Sequence, residues 1–580
     1  MTSSPNPELE TIVHKLLEAG SLSGTWVRLI PLPRLYKERG AEAAIRGEID
    51  IDGQPIMVDV GFKSSFPLSV PLVYIQPANA LGFIPHLEAD GYACYVRGDG
   101  QFVNYHQPAA VVRDALQRTR ETLSRGYRGE NTVDFTDGFA EYWSRLPNTG
   151  WIQSLVKPSE SFKKIILATG SPNKKKQSIY LADDEQTIRS FSPQLRDEVF
   201  NVKKAFYVPL EKGIPLIPPS FGAMWSLQDI HQIIKLHTSE KTKHNLQRAT
   251  RKWKSVETVI LGLPRPGGDW ALFGITFSGV QYAYPLCEAS LVHKIQPIIL
   301  DRLDRGYLMA RGGSSLNLQT KHVAIIGCGS VGASVAVELA RSGVGRLTLV
   351  DKDVLSAENV FRHPVGQYAV GLSKVDAVKS DLELRIPYIR VTAIAERIET
   401  LIRTKKFAWS DFDLIVIATG EPTINLYLNE SLRRRKSSPP ALYTWLDPYG
   451  IGGHTLLEQY HDQPGCLQCI YEFTEDGYLA NRASFALPGQ SFLKDLAGCG
   501  SLFTPFGSLD VLRTAEQTVR MALNSLAGKG SNQICSWKGD STIFQEGGFQ
   551  LTSRYESTEQ ELINQRTSFH RTDCPICHLN

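Results

Sequence analysis

The chain has 580 residues, which is enough for about three domains. Its 63 Lys and Arg residues nearly balance its 60 Asp and Glu residues, and the formal net charge of +3 does not indicate a dedicated nucleic-acid binder. No apolar run approaches the roughly 20 residues that span a bilayer, and the N-terminus lacks a signal peptide's basic start and apolar core. We therefore expect a cytoplasmic protein without membrane association. Its nine Cys residues are then expected in metal binding or nucleophilic chemistry rather than in disulfides.

Residues 1–145 have the pattern of one α+β domain. Apolar residues at helical spacing predict helices over 9–17 and 108–125. Strand-like segments lie between these helices, at 26–30, 44–51 and 56–62. They are followed by Phe66-Pro67, by Pro71-Leu72-Val73, and by a segment that runs from His86 to Gly91-Tyr92-Ala93-Cys94.

This order of elements and motifs resembles a ubiquitin-conjugating enzyme, in which a Cys accepts an activated carboxylate as a thioester. Cys94 stands at the matching position, and a thiol with that role requires partial exposure and a nearby donor. The family's His-Pro-Asn triplet is absent here, so His86 or His106 is the candidate to assist Cys94. The alternative is that Cys94 packs as a small buried hydrophobic residue.

Residues 146–300 form a middle linker domain whose role the sequence does not indicate. Strands are predicted at 258–263 and 272–277, on either side of a Pro- and Gly-rich turn. Residues 235–254 are strongly basic and are predicted to be helical. This segment is either a solvated helix face or a docking surface for an acidic partner.

A nucleotide site is predicted at 323–351, near the start of a third domain that spans 301–580. An apolar strand runs into Gly327-x-Gly329-x-x-Gly332, a helix is predicted to follow over 333–342, and a second strand over 346–350 ends at Asp351. Such a βαβ unit permits a tight turn, close approach of the backbone to phosphate, and anion binding at the helix N-terminus. The overall fold class is therefore α/β, with a Rossmann-like domain after the α+β domain at the N-terminus.

Three residues downstream favour ATP over a dinucleotide. Asn359, Arg362 and Lys374 place an amide and two cations near the phosphate loop, where they can neutralise a triphosphate during attack at its α-phosphate. This arrangement resembles the ThiF-type adenylation domain of ubiquitin-activating enzymes and of their relatives in thiamin and molybdopterin synthesis. Those proteins adenylate the C-terminal carboxylate of a small partner protein.

The resemblance implies further residues, and one of them departs from the family pattern. Where the relatives have an Mg²⁺-binding Asp, this chain has Gly420, so Glu421 is the candidate ligand and Asp447 is the second choice. Arg305 or Arg311 matches an Arg that reaches into the neighbouring subunit's site. Cys499, which precedes the last long helix predicted over 511–526, matches the activating enzyme's own nucleophile.

Two Cys-x-x-Cys pairs predict a structural Zn²⁺ site, because four thiolates at this spacing suit tetrahedral coordination. The four residues are Cys466, Cys469, Cys574 and Cys577. The second pair lies at the end of the chain, so the site would hold the C-terminus in place.

The complete arrangement resembles the fused ubiquitin-transferase-like proteins of bacterial CBASS antiphage operons. That resemblance implies a homodimer that uses ATP and Mg²⁺ to activate the C-terminus of a partner, either a cyclic-oligonucleotide synthase (CD-NTase) or a ubiquitin-like protein. It also implies a relay from the adenylate to Cys499, then to Cys94, and then to an acceptor that the sequence does not identify.

Two other functions remain open. One is a sulfur-carrier adenylyltransferase and sulfurtransferase, in which Cys499 or Cys328 handles persulfide. The other is a non-enzymatic nucleotide-binding scaffold, which the glycine at position 420 favours and the presence of Asn359, Arg362 and Lys374 disfavours.

Overall fold

The structure is a computed structural model that describes residues 7–18, 20–96, 100, 102–171, 177–220, 222–435, 437–459, 463–473, 475, 479–494 and 503–577. Internal contacts divide the described residues into two compact units. The first unit contains residues 7–170, 177–184 and 200–302, and the second contains residues 185–199 and 303–577. The division into 1–145, 146–300 and 301–580 therefore stays a prediction.

The first unit begins with an antiparallel sheet in the order β1-β2-β3-β4. β2 and β3 form a hairpin around Asp52 and Gly53, whose φ angles of 52° and 79° fit a tight two-residue turn. Helices α1 and α3 cover one face of β2, so both predicted helices are confirmed, whereas the strand predicted over 26–30 shrinks to two residues. The elements are α1 Pro7–Leu17, β1 Val27–Arg28, α2 Arg34–Glu38, β2 Ala41–Ile51, β3 Gln54–Lys63, β4 Leu72–Gln76, α3 Pro108–Tyr127, α4 Val133–Asp137 and α5 Phe139–Ser144.

The rest of the first unit is a closed barrel of seven strands, which the sequence did not predict. Around the barrel the order is β10-β11-β5-β7-β6-β8-β9, with parallel pairs at β11/β5, β5/β7 and β8/β9. The two strands predicted from the sequence are confirmed as β9 and β10. The elements are β5 Gly150–Ser154, β6 Lys163–Gly170, β7 Ser178–Ala182, α6 Glu185–Phe191 (which belongs to the second unit), β8 Asn201–Pro209, α7 Leu227–His237, α8 Glu240–Ala249, β9 Val256–Pro264, β10 Trp270–Ser278 and β11 Lys294–Arg302.

The basic segment 235–254 is not one helix. It contains the end of α7 and all of α8, and residues 250–254 are not helical. The hydroxyl oxygen of Ser239 accepts a hydrogen bond from the Thr242 N–H at 3.2 Å, so Ser239 starts α8 as a new helix after α7 has ended.

The second unit is built on a seven-stranded sheet in the order β14-β13-β12-β15-β16-β17-β20. The first five strands are parallel, β17 runs antiparallel to β16, and β20 runs antiparallel to β17. Alternate residues of β12 enter the cores on opposite faces, which explains why the strand reads as a continuous apolar run. The elements are α9 Arg305–Arg311, β12 His322–Ile326, α10 Ser330–Arg341, β13 Arg346–Val350, α11 Lys374–Arg385, β14 Arg390–Ile394, α12 Ile398–Arg403, β15 Leu414–Ile417, α13 Pro422–Arg433, β16 Ala441–Leu446, β17 Gly452–Glu458, β18 Tyr471–Phe473, β19 Leu479–Asn481, α14 Ser508–Leu526, β20 Gln533–Lys538, α15 Thr542–Glu546 and α16 Glu559–Asn564.

A short segment that precedes the barrel strand β8 also belongs to the second unit. The ring of Phe191 contacts Tyr388 edge-on at 5.4 Å, and Arg196 pairs with the buried Glu383 at 2.9 Å.

Among the described helices, none has the length and apolar character needed to cross a membrane.

Candidate functional site

Gly327, Gly329 and Gly332 each occupy a different environment in the predicted phosphate loop. A Cβ on Gly327, whose φ is +88°, would lie 2.6 Å from the Ala418 carbonyl oxygen, and one on Gly332 would lie 1.9 Å from the carbonyl oxygen of Gly327. Both positions therefore require glycine for packing. A Cβ on Gly329 would meet nothing within 4 Å, so this position leaves open space at the N-terminus of α10, where backbone N–H groups favour an anion.

The loop backbone is held on both sides of Cys328. The Cys328 N–H donates to Asp351 Oδ2 at 2.6 Å, and the Cys328 carbonyl oxygen lies 3.1 Å from Nε2 of the buried His363. Because burial lowers the pKa of His363, the ring is neutral at physiological pH and donates through Nε2. Asp351 thus stabilises the loop. Sequence reasoning missed His363, although it directly follows Arg362.

A cleft opens beside Gly327 and Asp351, and its lining contains apolar and acidic side chains together with Lys352 and Arg397. The apolar side chains suit a purine ring, and the carboxylates offer hard oxygen ligands for a divalent cation. Apolar lining comes from Ile326, Val350, Ile398 and Ile424, and carboxylates come from Asp351, Asp353, Glu396, Glu399 and Glu421.

Lys374 is the first residue of α11, and its Nζ pairs with Asp353 Oδ2 at 3.0 Å. Lys374 also lies close enough to the loop for its charge to act on the Cys328 thiol. Burial raises the pKa of that thiol well above its ordinary value, and the positive charge of Lys374 opposes the increase. Asn359 accepts hydrogen bonds from the Ser356 hydroxyl at 3.2 Å and from the Ser356 N–H at 3.4 Å. Lys374 is therefore positioned at the cleft, while the Asn359 side-chain oxygen caps a local turn.

Arg362 is half-buried, and its guanidinium carbon lies 4.7 Å from the centre of the Phe506 ring. Its Nε is buried and has no hydrogen-bond partner among the described residues. Burial lowers the pKa of Arg362, yet a guanidinium stays charged in proteins. A cation held on an aromatic face with an unsatisfied donor is suited to an anionic ligand.

The two candidate Mg²⁺ ligands differ in their environments. Glu421 is exposed and lines the cleft. Asp447 is buried and accepts hydrogen bonds from Ser484 Oγ at 2.9 Å, from the Phe485 N–H at 2.6 Å and from His454 Nε2 at 3.0 Å. Asp447 is therefore occupied within the fold, and Glu421 is the better candidate.

Arg305 and Arg311 do not line the nucleotide cleft of their own chain. Arg305 lines a separate pocket with Val344 at the C-terminal end of α10, and burial lowers its pKa. Arg311 is exposed at the end of α9 and lies against the Tyr307 ring.

The four predicted zinc ligands converge, with all four sulfur atoms within 4.8 Å of one another. Sulfur pairs lie 4.0, 3.7 and 3.4 Å apart. Tetrahedral Zn²⁺ with bonds of about 2.3 Å would place the sulfurs about 3.8 Å apart, so the geometry fits such an ion. These ligands are Cys466, Cys469, Cys574 and Cys577.

Buried polar groups support the cluster from behind. Arg433 pairs with Glu458 at 2.9 Å and donates to the Gly465 carbonyl at 2.9 Å. Glu458 in turn accepts the Leu467 N–H at 2.9 Å, and Asn429 donates to Cys466 Sγ at 3.6 Å. Such surrounding groups hold metal ligands in orientation.

Cys94 is exposed, and its Sγ faces the Val96 carbonyl oxygen at 3.7 Å. The Cys94 N–H donates to the His86 carbonyl at 2.8 Å, next to a bridge between Leu87 and Ala93. Cys94 and His86 therefore lie opposite each other, and both line a pocket of about 400 Å³. The alternative that Cys94 packs as a buried hydrophobic residue is wrong, because the residue is exposed.

Two residues from later in the chain hold His86 in place. His86 Nε2 lies 3.0 Å from Asp134 Oδ2, and the His86 N–H donates to the Tyr142 hydroxyl at 3.0 Å. His86 has a φ of +66°, a left-handed conformation uncommon outside glycine. The His106 ring lies tilted against the Tyr105 ring, with the ring centres 4.1 Å apart, and His106 does not line the pocket. Sequence reasoning missed Asp134 and Tyr142, which no local motif marks.

Cys499 lies outside the described residues. The nearest described residues on either side, Lys494 and Phe503, form an antiparallel bridge with hydrogen bonds of 3.0 and 3.1 Å. Cys328, the other thiol considered for persulfide chemistry, is fully buried.

The fold and the two sites define a class of protein in which a ubiquitin-conjugating-like domain and a nucleotide-binding adenylation domain share one chain. The prokaryotic E2 family B matches residues 33–150, and the ThiF family matches residues 307–488. The chain therefore combines an E2-like domain with a ThiF domain, and the ThiF match supports ATP-dependent adenylation.

The chain is similar to particular curated proteins over most of its length. The chain is 24% identical over 471 residues to the ATP-dependent ubiquitin transferase-like protein Cap2 of Pseudomonas aeruginosa, covering 78% of this chain and 81% of the relative. It is 21% identical to Cap2 of Escherichia coli over 98% of this chain and 99% of the relative. A crystal structure of E. coli MccB with AMPCPP and MccA is 20% identical, covering 39% of this chain and 62% of that chain. Its TM-score is 0.31.

Proposed function

We propose that this protein uses ATP to activate the C-terminal carboxylate of a partner protein, carries the product as a thioester on Cys94, and conjugates it to an acceptor. The observation that carries this proposal is the presence of an adenylation fold and an exposed E2-type thiol in the same chain. The name of the Cap2 relatives, ubiquitin transferase-like, agrees with such a conjugation.

In the first step, a carboxylate oxygen of the partner attacks the α-phosphate of ATP, and pyrophosphate leaves. Arg362 and Lys374 neutralise the charge that develops on the phosphate. The open space beside Gly329 leaves room for the phosphate to approach the backbone. Mg²⁺, when bound, would offset the charge of the triphosphate, with Glu421 as its ligand in the cleft.

In the second step, a thiol displaces AMP from the adenylate and forms a thioester. We assign this step to Cys499, which then passes the carboxylate to Cys94. Each transfer exchanges one good leaving group for another, so the energy of ATP is retained.

We propose a CD-NTase as the partner, with a ubiquitin-like protein as the alternative, and a role in antiphage defence in the cytoplasm. The enzyme would act as a homodimer, with no direct role for nucleic acid. The acceptor is a protein or small molecule that these observations do not identify.

The four-cysteine cluster is assigned to structural Zn²⁺. Elemental analysis should find about one Zn²⁺ per chain, the number that one tetrahedral site holds. A fully folded protein without metal would contradict this assignment.

Pyrophosphate exchange and thioester trapping together test the function. The full chain is incubated with ATP and a candidate CD-NTase, either intact or lacking its last residues. Exchange and a thiol-sensitive adduct on non-reducing gels are expected only with the intact C-terminus. Cys499→Ala should retain exchange and lose loading of Cys94. Normal loading would mean that the adenylate reacts directly with Cys94.

Sulfur transfer is the second candidate, because the ThiF fold also serves sulfur-carrier activation. The burial of Cys328 and the raised pKa of its thiol weigh against it as a persulfide carrier. A thioester trapped on Cys94 would exclude this candidate, and pyrophosphate exchange would exclude a non-enzymatic scaffold.

A further inference from the structure

The surroundings of Cys94 hold a hydrogen-bonded His–Asp pair that the proposed relay does not use. His86 lies opposite Cys94, its ring is 3.0 Å from an oxygen of Asp134, and both residues line the pocket that contains the thiol. A nucleophile, a base and a third group that orients the base form a recurrent arrangement for activating thiols.

We propose that His86, oriented by Asp134, is the base that takes the proton from the Cys94 thiol. A carboxylate accepts hydrogen bonds and donates none, so the contact with Asp134 requires a proton on Nε2 of His86. Nδ1 then carries the free lone pair. This inference rests on the proposed function for its role in transfer, but the proton transfer itself is a property of the unliganded protein.

The protein maintains this arrangement at some conformational cost. His86 adopts a φ of +66°, which a non-glycine residue rarely does. The Tyr142 hydroxyl accepts the N–H of His86, and the His86 carbonyl accepts the N–H of Cys94. Backbone strain of this kind persists where surrounding contacts determine it, and it concentrates at functional sites.

The other charges of the pocket are largely paired. Glu88 pairs with Arg39 at 2.5 Å and with Arg145 at 2.9 Å, and Asp137 pairs with Arg265 at 3.0 Å. Among the described residues, the remaining titratable groups near the thiol are Glu141, Tyr142 and Tyr92, and burial is the main cause that raises the pKa of both tyrosines. The tyrosines are therefore neutral at physiological pH, and carboxylates are weaker bases than an imidazole, so we assign the base to His86.

The transfer step balances in protons and electrons. The Cys94 proton moves to His86 Nδ1, and the thiolate attacks the carbonyl carbon of the incoming thioester. A bond forms from that carbon to Cys94 Sγ, and the bond to the upstream sulfur breaks with its electron pair. Asp134 stabilises the imidazolium, which later returns the proton to solvent.

Alkylation of Cys94 by iodoacetamide tests this proposal without ATP or a partner. The rate is followed over pH 5–10 in the full chain by mass spectrometry of the Cys94 peptide, which separates it from other thiols. His86→Asn, chosen because Asn tolerates a positive φ, should raise the pH of half-maximal alkylation by about one unit or more. The matched control His106→Gln should leave the profile unchanged.

Asp134→Asn provides a second test, because it removes the charge that stabilises the imidazolium and nearly keeps the shape. A smaller upward shift is expected, with thermal unfolding confirming that both variants fold. Superimposed profiles for the wild type and His86→Asn would overturn the proposal, as would a downward shift in Asp134→Asn. If the two variants lose conjugation but keep the wild-type alkylation profile, the proposed proton transfer to His86 is contradicted. The conjugating function proposed for the wild-type protein would still stand in that case.

Discussion

The nucleotide cleft and the Cys94 pocket are built in opposite ways. The cleft is formed around one continuous βαβ segment, and much of its predicted contact with phosphate comes from backbone N–H groups. The pocket is assembled from side chains on separate elements, with His86 and Cys94 on loops, Asp134 on α4 and Tyr142 on α5.

This difference implies different sensitivity to substitution. A backbone-built site fails mainly when a glycine gains a side chain or when a key cation is lost. A site built from side chains depends on each of its members, because removing one leaves the others without a partner. The predictions below test this contrast.

Cys94→Ala is expected to have the largest effect. Without the exposed thiol, conjugate formation should be abolished, while pyrophosphate exchange continues at the wild-type rate because the cleft is untouched. Exchange and non-reducing gels measure the two steps separately. Cys287→Ala, a half-buried thiol in the first unit, is the control and should behave as wild type. Residual conjugation in Cys94→Ala would show that another thiol is the carrier.

Arg362→Ala should lower pyrophosphate exchange by about 100-fold, the size typical for removal of one group that stabilises transition-state charge. The loss should fall on the rate of exchange rather than on thermal stability, since this guanidinium has no hydrogen bond from Nε within the described fold. Arg403→Ala, which removes an exposed Arg on α12, should have no effect. Full exchange in Arg362→Ala would mean that the phosphate binds elsewhere.

Two glycines of the loop should separate packing from ligand binding. Gly332→Ala forces a methyl group against the Gly327 carbonyl and should cost about 1–3 kcal/mol of stability, as overpacking does. Gly329→Ala meets open space, so it should keep the melting temperature and weaken ATP binding. Calorimetric titration and thermal unfolding measure the two effects. Unchanged ATP affinity in Gly329→Ala would show that the phosphate does not bind next to Gly329.

Glu421→Gln should have the smallest effect, raising several-fold the Mg²⁺ concentration that gives half-maximal exchange, because other carboxylates line the same cleft. Glu430→Gln on α13, the helix that Glu421 directly precedes, is the control. Identical Mg²⁺ dependence of Glu421→Gln and wild type would exclude Glu421 as the ligand.

The sequence was sufficient where the relevant residues are close together in the chain. The strand, glycine loop and helix around Gly327 follow consecutively, and the Cys-x-x-Cys spacing predicted a cluster that the structure brings together. Periodicity also predicted strands β9 and β10. It could not place them in a barrel, since closure depends on pairs such as β11 with β5, which are distant in sequence.

The partners of His86 illustrate the limit. Asp134 and Tyr142 lie 48 and 56 residues after His86 and share no motif with it. Their contact follows from how the elements after α3 pack, which local propensity does not encode. The end of α7 and the start of α8 at Ser239 could have been predicted, because a Ser followed by helix-forming residues is a typical helix start. The interpretation of 235–254 as one basic helix overlooked this signal.

The segment 185–199 limits how the chain can be divided experimentally. It precedes the barrel strand β8 in sequence, yet Phe191 and Arg196 pack on Tyr388 and Glu383. A fragment beginning at residue 303 would retain every residue of the nucleotide cleft but would lack the segment 185–199. It would expose the Tyr388 ring and leave the buried Glu383 carboxylate without its arginine. Separate expression of the adenylation domain therefore requires this peptide to be supplied in trans or grafted onto the fragment.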